Sequence, residues 1–440
     1  MKKLGISILI SLLMVTLSAC VKDEITFTLI GKEYVSYTVA DEYTESGFIA
    51  KSGRTDLSDY VTISHDIDNS KADDYTVTYT LNYDDQIQEI TRTVMYRDEG
   101  CEVTSEPTIT LCKVNYSKYL HTYISLTFYY EGDQFHNQVE AIYNTVEAYL
   151  LEYNNLSDKY KSYEGYVNVK TINDAPTETH VLDERLFDMI QFALDHQDEV
   201  NNLFNIALGP VLQVWHDYRE LADPFTNVGT SLPSMEVLQE KNQFTDSSKI
   251  VLNETEKSIT MEENMSIDLG GMSKGFISNI ITGYLDSLDL TGYLLNNGNS
   301  NISIGGTHPL REAGKFILAA TDPTGEKYPG FATIYLGDGD QLVTSGDYQQ
   351  YFVVDGEVYH HIINPNTLMP ERYTRTVSIV INGDAGLADL YSTAIFTMTV
   401  EEGIAFVDSI DGLEAIWYGL DGTIYYSENF ERDYLGELIP

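Results

Sequence analysis

The hydrophobic positions along the 440-residue chain follow three regimes. From Met1 to Cys20 a basic pair, Lys2-Lys3, precedes an apolar run from about Leu4 to Leu17, too short to cross a bilayer comfortably. From Ile25 to about Asp98 β-branched and aromatic residues alternate with polar ones, clearest in Val35–Val39, Tyr75–Leu81 and Ile90–Val94. Alternation with a period of two predicts half-buried strands. Polar clusters at Lys51–Gly53 and Asn69–Asp74 supply the turns, so residues 21–99 read as a small antiparallel sandwich. Residues 100–117 show neither period and read as a connector.

From residue 118 to 440 the pattern is mixed. Helical spacing runs over Asn137–Leu151, Asp183–Asn202, Ser273–Leu288 and Ala385–Val400; Leu186, Ile190, Ala193 and Leu194 share one face of the second. Strands are expected at Leu120–Tyr130, Gly292–Leu295, Phe316–Ala320, Ala332–Leu336, Tyr351–Val354, Val358–Ile363 and Val377–Ile381. The two element types do not alternate regularly, so the fold class is α+β, not a doubly wound sheet.

Composition narrows the function. With 26 Lys+Arg against 68 Asp+Glu the net charge is −42, which excludes a phosphate-tracking nucleic-acid binder and an anionic membrane surface as partner of the body. Small residues Leu17-Ser18-Ala19 stand directly before Cys20. This resembles the lipobox of bacterial lipoproteins, which implies a signal peptide over residues 1–20, acylation of Cys20 with diacylglycerol and palmitate-type chains, and a body tethered to the extracytoplasmic face of the cell membrane. Cys101 and Cys112 remain, and either pair or stay as free thiols.

Four segments are rich in glycine, small polar residues and isolated charges. Asp268-Leu269-Gly270-Gly271-Met272-Ser273-Lys274-Gly275 places a glycine pair before a helix start, where free N–H groups face an anion. Asn296–Gly306 is a run of asparagine amides. Thr344-Ser345-Gly346-Asp347-Tyr348 precedes His360-His361-Ile362-Ile363-Asn364-Pro365. In Ala388–Ala394, Asp389 and Thr393 lie four residues apart on one helix face, a carboxylate and a hydroxyl suited to a hard cation such as Mg²⁺.

In this order, together with Leu120–Ser125, Leu156–Tyr160 and Asn202–Asn205…Gly209-Pro210-Val211…Trp215, these segments resemble the ApbE family, the FAD:protein FMN transferases, over roughly Leu120 to Val400. Residues 21–99 resemble bacterial Ig-like surface modules and read as a spacer. The first resemblance implies FAD as substrate and Mg²⁺ as cofactor, with Asp389, Thr393 and the carbonyl of Gly271 as metal ligands. It places Asp268, Lys274, Leu203, Phe204, Asn205 and Ile362 at cofactor-binding positions. His361 is the candidate proton acceptor, so His361 and Asp389 are the catalytic candidates. The implied reaction moves FMN to a Thr or Ser hydroxyl of an exported acceptor protein and releases AMP. The same motifs serve a Mg²⁺-dependent FAD pyrophosphatase, with water in place of the hydroxyl, or a non-catalytic flavin-binding lipoprotein. The chain departs from the family pattern at His121, Asn202, Asn299 and Leu368, where the family has glycine, and at Asn205 and Asn364, where it has aspartate.

Overall fold

A computed structural model describes residues 25–38, 41–70, 74–97, 100–103, 109–131, 135 and 138–439. The leader and Cys20 lie outside them. The chain divides into two compact units, Met1–Tyr96 and Arg97–Pro440.

In the first unit a three-stranded sheet (Ile25–Leu29, Phe48–Ser52, Thr55–Asp56) and a four-stranded sheet (Tyr34–Thr38, Val61–Ser64, Asp74–Tyr83, Gln86–Arg97) share one core. Alternate residues of one strand, Tyr75, Val77, Tyr79 and Leu81, point into it, as the period-two pattern requires. Arg92 is fully buried beside them. Its guanidinium donates to the Tyr79 hydroxyl (3.1 Å) and to the carbonyls of Lys32 (2.6 Å), Ile30 (2.8 Å) and Gly47 (3.2 Å), and lies 3.5 Å from Glu45. One planar, five-donor group thereby satisfies carbonyls that flank the strands of the three-stranded sheet.

The second unit is built on an antiparallel sheet of nine strands among the described residues. In chain order they are β1 (Gly100–Val103), β2 (Ile109–Tyr116), β3 (Ile124–Glu131), β4 (Gly292–Asn297), β5 (Asn301–Gly306), β6 (Asp340–Gly346), β7 (Thr374–Asn382), β8 (Leu413–Gly419) and β9 (Ile424–Tyr426), and they pair in that same order. Both faces are covered. Ile124, Leu126, Phe128, Val377, Ile379, Leu413, Ala415 and Trp417 join the main core. Tyr129, Val380, Ile416 and Tyr418 join a second core under a small sheet of Phe316–Ala320, Ala332–Leu336 and Leu435–Leu438. The main core is completed by helices α1 (Val139–Ser157), α2 (Glu184–His196), α4 (Ser273–Asp286) and α5 (Ala385–Phe396). Helix α3 (Gly209–Glu220) packs through Val211, Val214 and Trp215 on the hairpin Tyr351–Val354/Glu357–His360. No helix among the described residues is long and apolar enough to cross a membrane.

The α+β expectation agrees with this architecture, and several boundaries differ from the sequence reading. The connector is not one: residues 100–103 and 109–116 are strands of the sheet, and Cys101 and Cys112, direct register partners, form a disulfide. Strand β3 starts at Ile124, not Leu120, because Leu120 and His121 turn through left-handed conformations (φ 52° and 53°). The helical pattern expected over Ala385–Val400 breaks at Phe396, and Thr399 starts a new helix, Val400–Val407, through a capping box with Glu402.

The buried arginine gives a local test. Arg92→Met removes donors from three carbonyls and the counter-charge of Glu45, a loss of about 3–5 kcal/mol. Hydrogen exchange should show protection collapsing in Asp74–Tyr83 while Ile124–Glu131 stays protected; unchanged protection in the first strand would show that the arginine is dispensable.

Candidate active site

Helices α4 and α5 pack closely, and Gly275 marks their tightest approach. A Cβ on Gly275 would lie 2.0 Å from the Ala385 carbonyl oxygen, so only glycine permits the approach. Gly275 is in the first turn of α4, and the residue preceding that helix supplies no side-chain cap. Instead the Gly275 N–H donates to Oδ2 of Asp389 (3.0 Å), whose helix thus caps its neighbour. Oδ1 of Asp389 accepts from Asn301 Nδ2 (3.3 Å) on β5. The carboxylate is 4 % exposed.

One turn on, the Thr393 hydroxyl oxygen lies 3.1 Å from the Gly271 carbonyl and 3.0 Å from that of Asp389. A hydroxyl has one proton and satisfies one of these acceptors at a time. The Thr393 hydroxyl and the Gly271 carbonyl are thus two neutral oxygens side by side, the donor type that, with a carboxylate, would suit a hard cation. Among the described residues no group of three or more His, Cys, Asp or Glu is arranged to hold a metal. The donor set here is one carboxylate and neutral oxygens, with a buried Asn301 Oδ1 that has no hydrogen-bond partner beside it. These residues fit a hard, largely hydrated cation such as Mg²⁺, not a soft or fully caged metal.

Asp268 stands before the glycine pair. Its carboxylate takes Lys159 Nζ at 2.5 Å and the Gly270 N–H at 2.8 Å. Burial alone would raise its pKa; the Lys159 ammonium and the Gly270 N–H outweigh burial and hold it below the ordinary carboxylate range. Lys159 also lies 4.9 Å from the centre of the Tyr160 ring, which packs on His216 (5.2 Å), and His216 meets Arg219 at 3.0 Å. Lys274, Arg219 and His360 are near enough to His361 to disfavour its charged form. Three cations of a strongly acidic chain, Lys159, Arg219 and Lys274, therefore converge around Asp268 and His361.

The two histidines have different roles. His360 is 1 % exposed; its Nε2–H donates to the Glu371 carbonyl (2.9 Å) and its Nδ1 accepts from the Ile362 N–H (3.2 Å). Both ring nitrogens are committed in the neutral form, and burial pushes the pKa down to about 4. His361 is partly exposed, and its Nδ1 faces the Gln350 carbonyl at 3.2 Å. A carbonyl only accepts, so Nδ1 carries the proton and Nε2 keeps its lone pair. Desolvation, then His360, Arg219 and Lys274, lower its pKa to about 3.

Asp268, Lys274, His361, Gly271, Asp389 and Thr393 thus occupy one neighbourhood. Phe204 joins it: its ring edge is 3.0 Å from where a Gly271 Cβ would be. Leu203 lines a groove of about 620 Å³ with Asn364, Met398 and Phe406. Ile362 is half-buried and its N–H serves His360. The Asn205 side chain is spent inside the fold, accepting from the Ala207 N–H and donating to the Thr245 carbonyl, both at 2.8 Å. Lys159 and Asn301 fall in segments that the sequence singled out, Leu156–Tyr160 and Asn296–Gly306, but neither they nor Arg219 were assigned an individual role. The available signal for Arg219 was its place four residues after Trp215 on α3. Of the departures, His121, Asn202, Asn299 and Leu368 all have positive φ, between 53° and 63°, where glycine is the unstrained residue. Asn364 closes a turn by accepting the Asn366 N–H (2.9 Å), a task an amide oxygen performs as well as a carboxylate.

Comparison with known proteins places this chain in a family. The ApbE family matches residues 120–417, and the bacterial surface protein Ig-like domain matches residues 27–95. A FAD:protein FMN transferase of Klebsiella pneumoniae is 27 % identical over 233 residues, 53 % of this chain and 68 % of that protein. One of Treponema pallidum is 26 % identical over 252 residues, 54 % of this chain and 66 % of that protein. The crystal structure of an ApbE protein from Thermotoga maritima superposes with a TM-score of 0.62 at 26 % identity, covering 73 % of this chain and 98 % of that one. The apo flavinyl transferase ApbE of Pseudomonas stutzeri shares the fold at 18 % identity and a TM-score of 0.60, over 74 % of this chain and 98 % of that one.

Two outcomes follow from the geometry. His121 is exposed and left-handed, so His121→Gly should raise stability by roughly 0.5–1 kcal/mol, the relief of strain exceeding the entropy glycine adds to the unfolded chain. Urea midpoints read from Trp215 and Trp417 fluorescence check it, and a drop would show that the turn needs the imidazole. His360 binds its proton more weakly folded than unfolded, so stability is full above about pH 6.5 and falls as pH drops toward 4, by roughly 2 kcal/mol from pH 7 to 5. His361, whose pKa is lowered further, contributes a similar slope over the same range, so His360→Gln should remove about half of the combined loss; an unchanged slope would assign the acid sensitivity elsewhere.

Proposed function

Since the chain belongs to the ApbE family, we propose that it is a FAD:protein FMN transferase, moving FMN from FAD to a threonine or serine hydroxyl of an exported acceptor protein and releasing AMP. The observation that carries this reading is the convergence, within the family-matched segment, of a free imidazole nitrogen, three cations and a capped carboxylate. The cations Arg219 and Lys274 bind and orient an anionic diphosphate that the rest of an acidic body would repel, while Lys159 offsets the charge of Asp268. His361 Nε2 takes the acceptor's hydroxyl proton as its oxygen bonds to the phosphorus of the FMN half. The bridging P–O bond breaks, the electron pair leaves with AMP, and the acceptor keeps FMN as a phosphodiester. Asp389, Thr393 and the Gly271 carbonyl would hold Mg²⁺. When bound, that ion neutralises charge on the phosphates and on the leaving AMP. Phe204 and Leu203 supply the apolar wall.

The same reading places the protein outside the cytoplasm. A lipid on Cys20 would anchor it, with the Ig-like unit as spacer and the acceptor an exported flavoprotein. The Cys101–Cys112 disulfide supports an oxidising compartment.

Asp389→Asn separates metal binding from capping, since the amide oxygen still accepts from Gly275. FMN transfer should fall by at least 100-fold with the melting temperature changed by only a few degrees, and added Mg²⁺ should not restore the rate. The assay is in-gel flavin fluorescence of a co-expressed exported acceptor together with AMP release. Wild-type turnover in the folded variant would refute the assignment; AMP and free FMN without labelled acceptor would make the enzyme a pyrophosphatase.

A further inference from the structure

Asn297 and Asn301 face each other directly across the β4–β5 hairpin, and both are about 1 % exposed or less. Each has a buried side-chain oxygen without a partner. Such an oxygen costs about 1–3 kcal/mol, so neither amide is explained by stability alone. Their nitrogens differ. Asn297 Nδ2 donates to the Lys274 carbonyl (3.1 Å) in the first turn of α4. Asn301 Nδ2 reaches Oδ1 of Asp389 (3.3 Å) and lies 3.4 Å from Ser300 Oγ. The orientation of Asn301 is fixed by chemistry, because the flipped amide would set its oxygen against a carboxylate.

We propose that Asn301 is a positioning residue: together with the Gly275 N–H it fixes the plane of the Asp389 carboxylate, so that the remaining lone pairs face a divalent cation. One oxygen is held from α4 and the other from β5, and two donors on opposite oxygens leave the group no rotation about its last bond. Groups that orient a metal-ligating carboxylate in this way alter affinity without touching the ion. The inference rests on the metal site described above and adds to it a residue from a different part of the chain.

Asn297 supplies the control, since it matches Asn301 in burial, strand pairing and orphaned oxygen but does not touch Asp389. The probe is Mn²⁺ binding to the FAD-free, full-length protein, followed by electron paramagnetic resonance of the free ion, with melting temperature measured alongside. Asn301→Ala should weaken Mn²⁺ binding by about 10-fold or more, and Asn297→Ala by less than about 3-fold, at similar losses of melting temperature. Asn301→Ser, whose hydroxyl is too short to reach the carboxylate, is the second variant should the alanine protein not fold, and should behave alike. Equal weakening at both positions, or unchanged binding in the Asn301 variants of a wild type that binds Mn²⁺, overturns this assignment alone. A wild type that neither binds Mn²⁺ nor needs a divalent ion for FMN transfer overturns the metal reading, and this assignment with it.

Discussion

The contact between Gly275 and Asp389 fixes the active-site region. Because residue 275 has no side chain, α4 and α5 approach until a main-chain N–H of one meets the carboxylate of the other. That approach brings the α4 loop, with Asp268, Gly271 and Lys274, onto the helix that carries Thr393. A larger residue would force the helices apart and separate the two motifs that share the site. The carboxylate therefore does structural work even without an ion: it satisfies a helix start that has no cap of its own.

The second constraint is electrostatic. A net charge of −42 sets a repulsive field for any phosphate-bearing substrate, yet screening limits that field to about 8 Å at physiological salt. Two cations without a carboxylate partner among the described residues, Lys274 and Arg219, can therefore dominate locally. The Lys159–Asp268 pair serves this arrangement, since the ammonium keeps Asp268 ionised in a partly desolvated place, and the loop N–H of Gly270 completes the carboxylate's shell. Lys274 and Arg219 have no such carboxylate partner among the described residues and retain their full charge for a ligand.

The sequence was legible where function had written local patterns. The glycine pair before α4, the Asp389–Thr393 spacing and the paired histidines are each contained in a few residues, and each falls in the cleft. What distinguishes His361 from its neighbour was not legible: it depends on which carbonyl each ring nitrogen meets, 11 residues away in both cases. Lys159, Arg219 and Asn301 reach the site from α1's end, α3 and β5; Lys159 and Asn301 lie in segments that the sequence marks as a whole, but nothing there singles out the individual residue. Strand β8 was missed for another reason. All seven of its residues are buried, because the sheet is covered on both faces, and a strand buried on both sides loses the alternation that reveals strands. Residues 100–117 were read as a connector because Gly100–Val103 is short and the burial of Ile109–Tyr116 does not alternate cleanly, with Thr110, Leu111 and Cys112 buried in succession.

The left-handed positions show how the chain can depart from its family's glycines without losing the fold. Asn202 and Asn299 substitute with the residue type that best tolerates positive φ, and Asn299 is tied further by exchanging hydrogen bonds with Asn296 (2.8 Å each way). Leu368 is a harder case, a branched side chain at φ 63°. Its side chain is buried in the core beside Trp215, and its carbonyl accepts the Trp215 indole N–H at 2.9 Å. Burying a leucine contributes about 1.5–3 kcal/mol, against 1–2 for the left-handed backbone, so packing offsets the strain and the turn after His361 is held by the core beneath it. At Asn299 and Leu368 the departures thus exchange backbone ease for side-chain contacts.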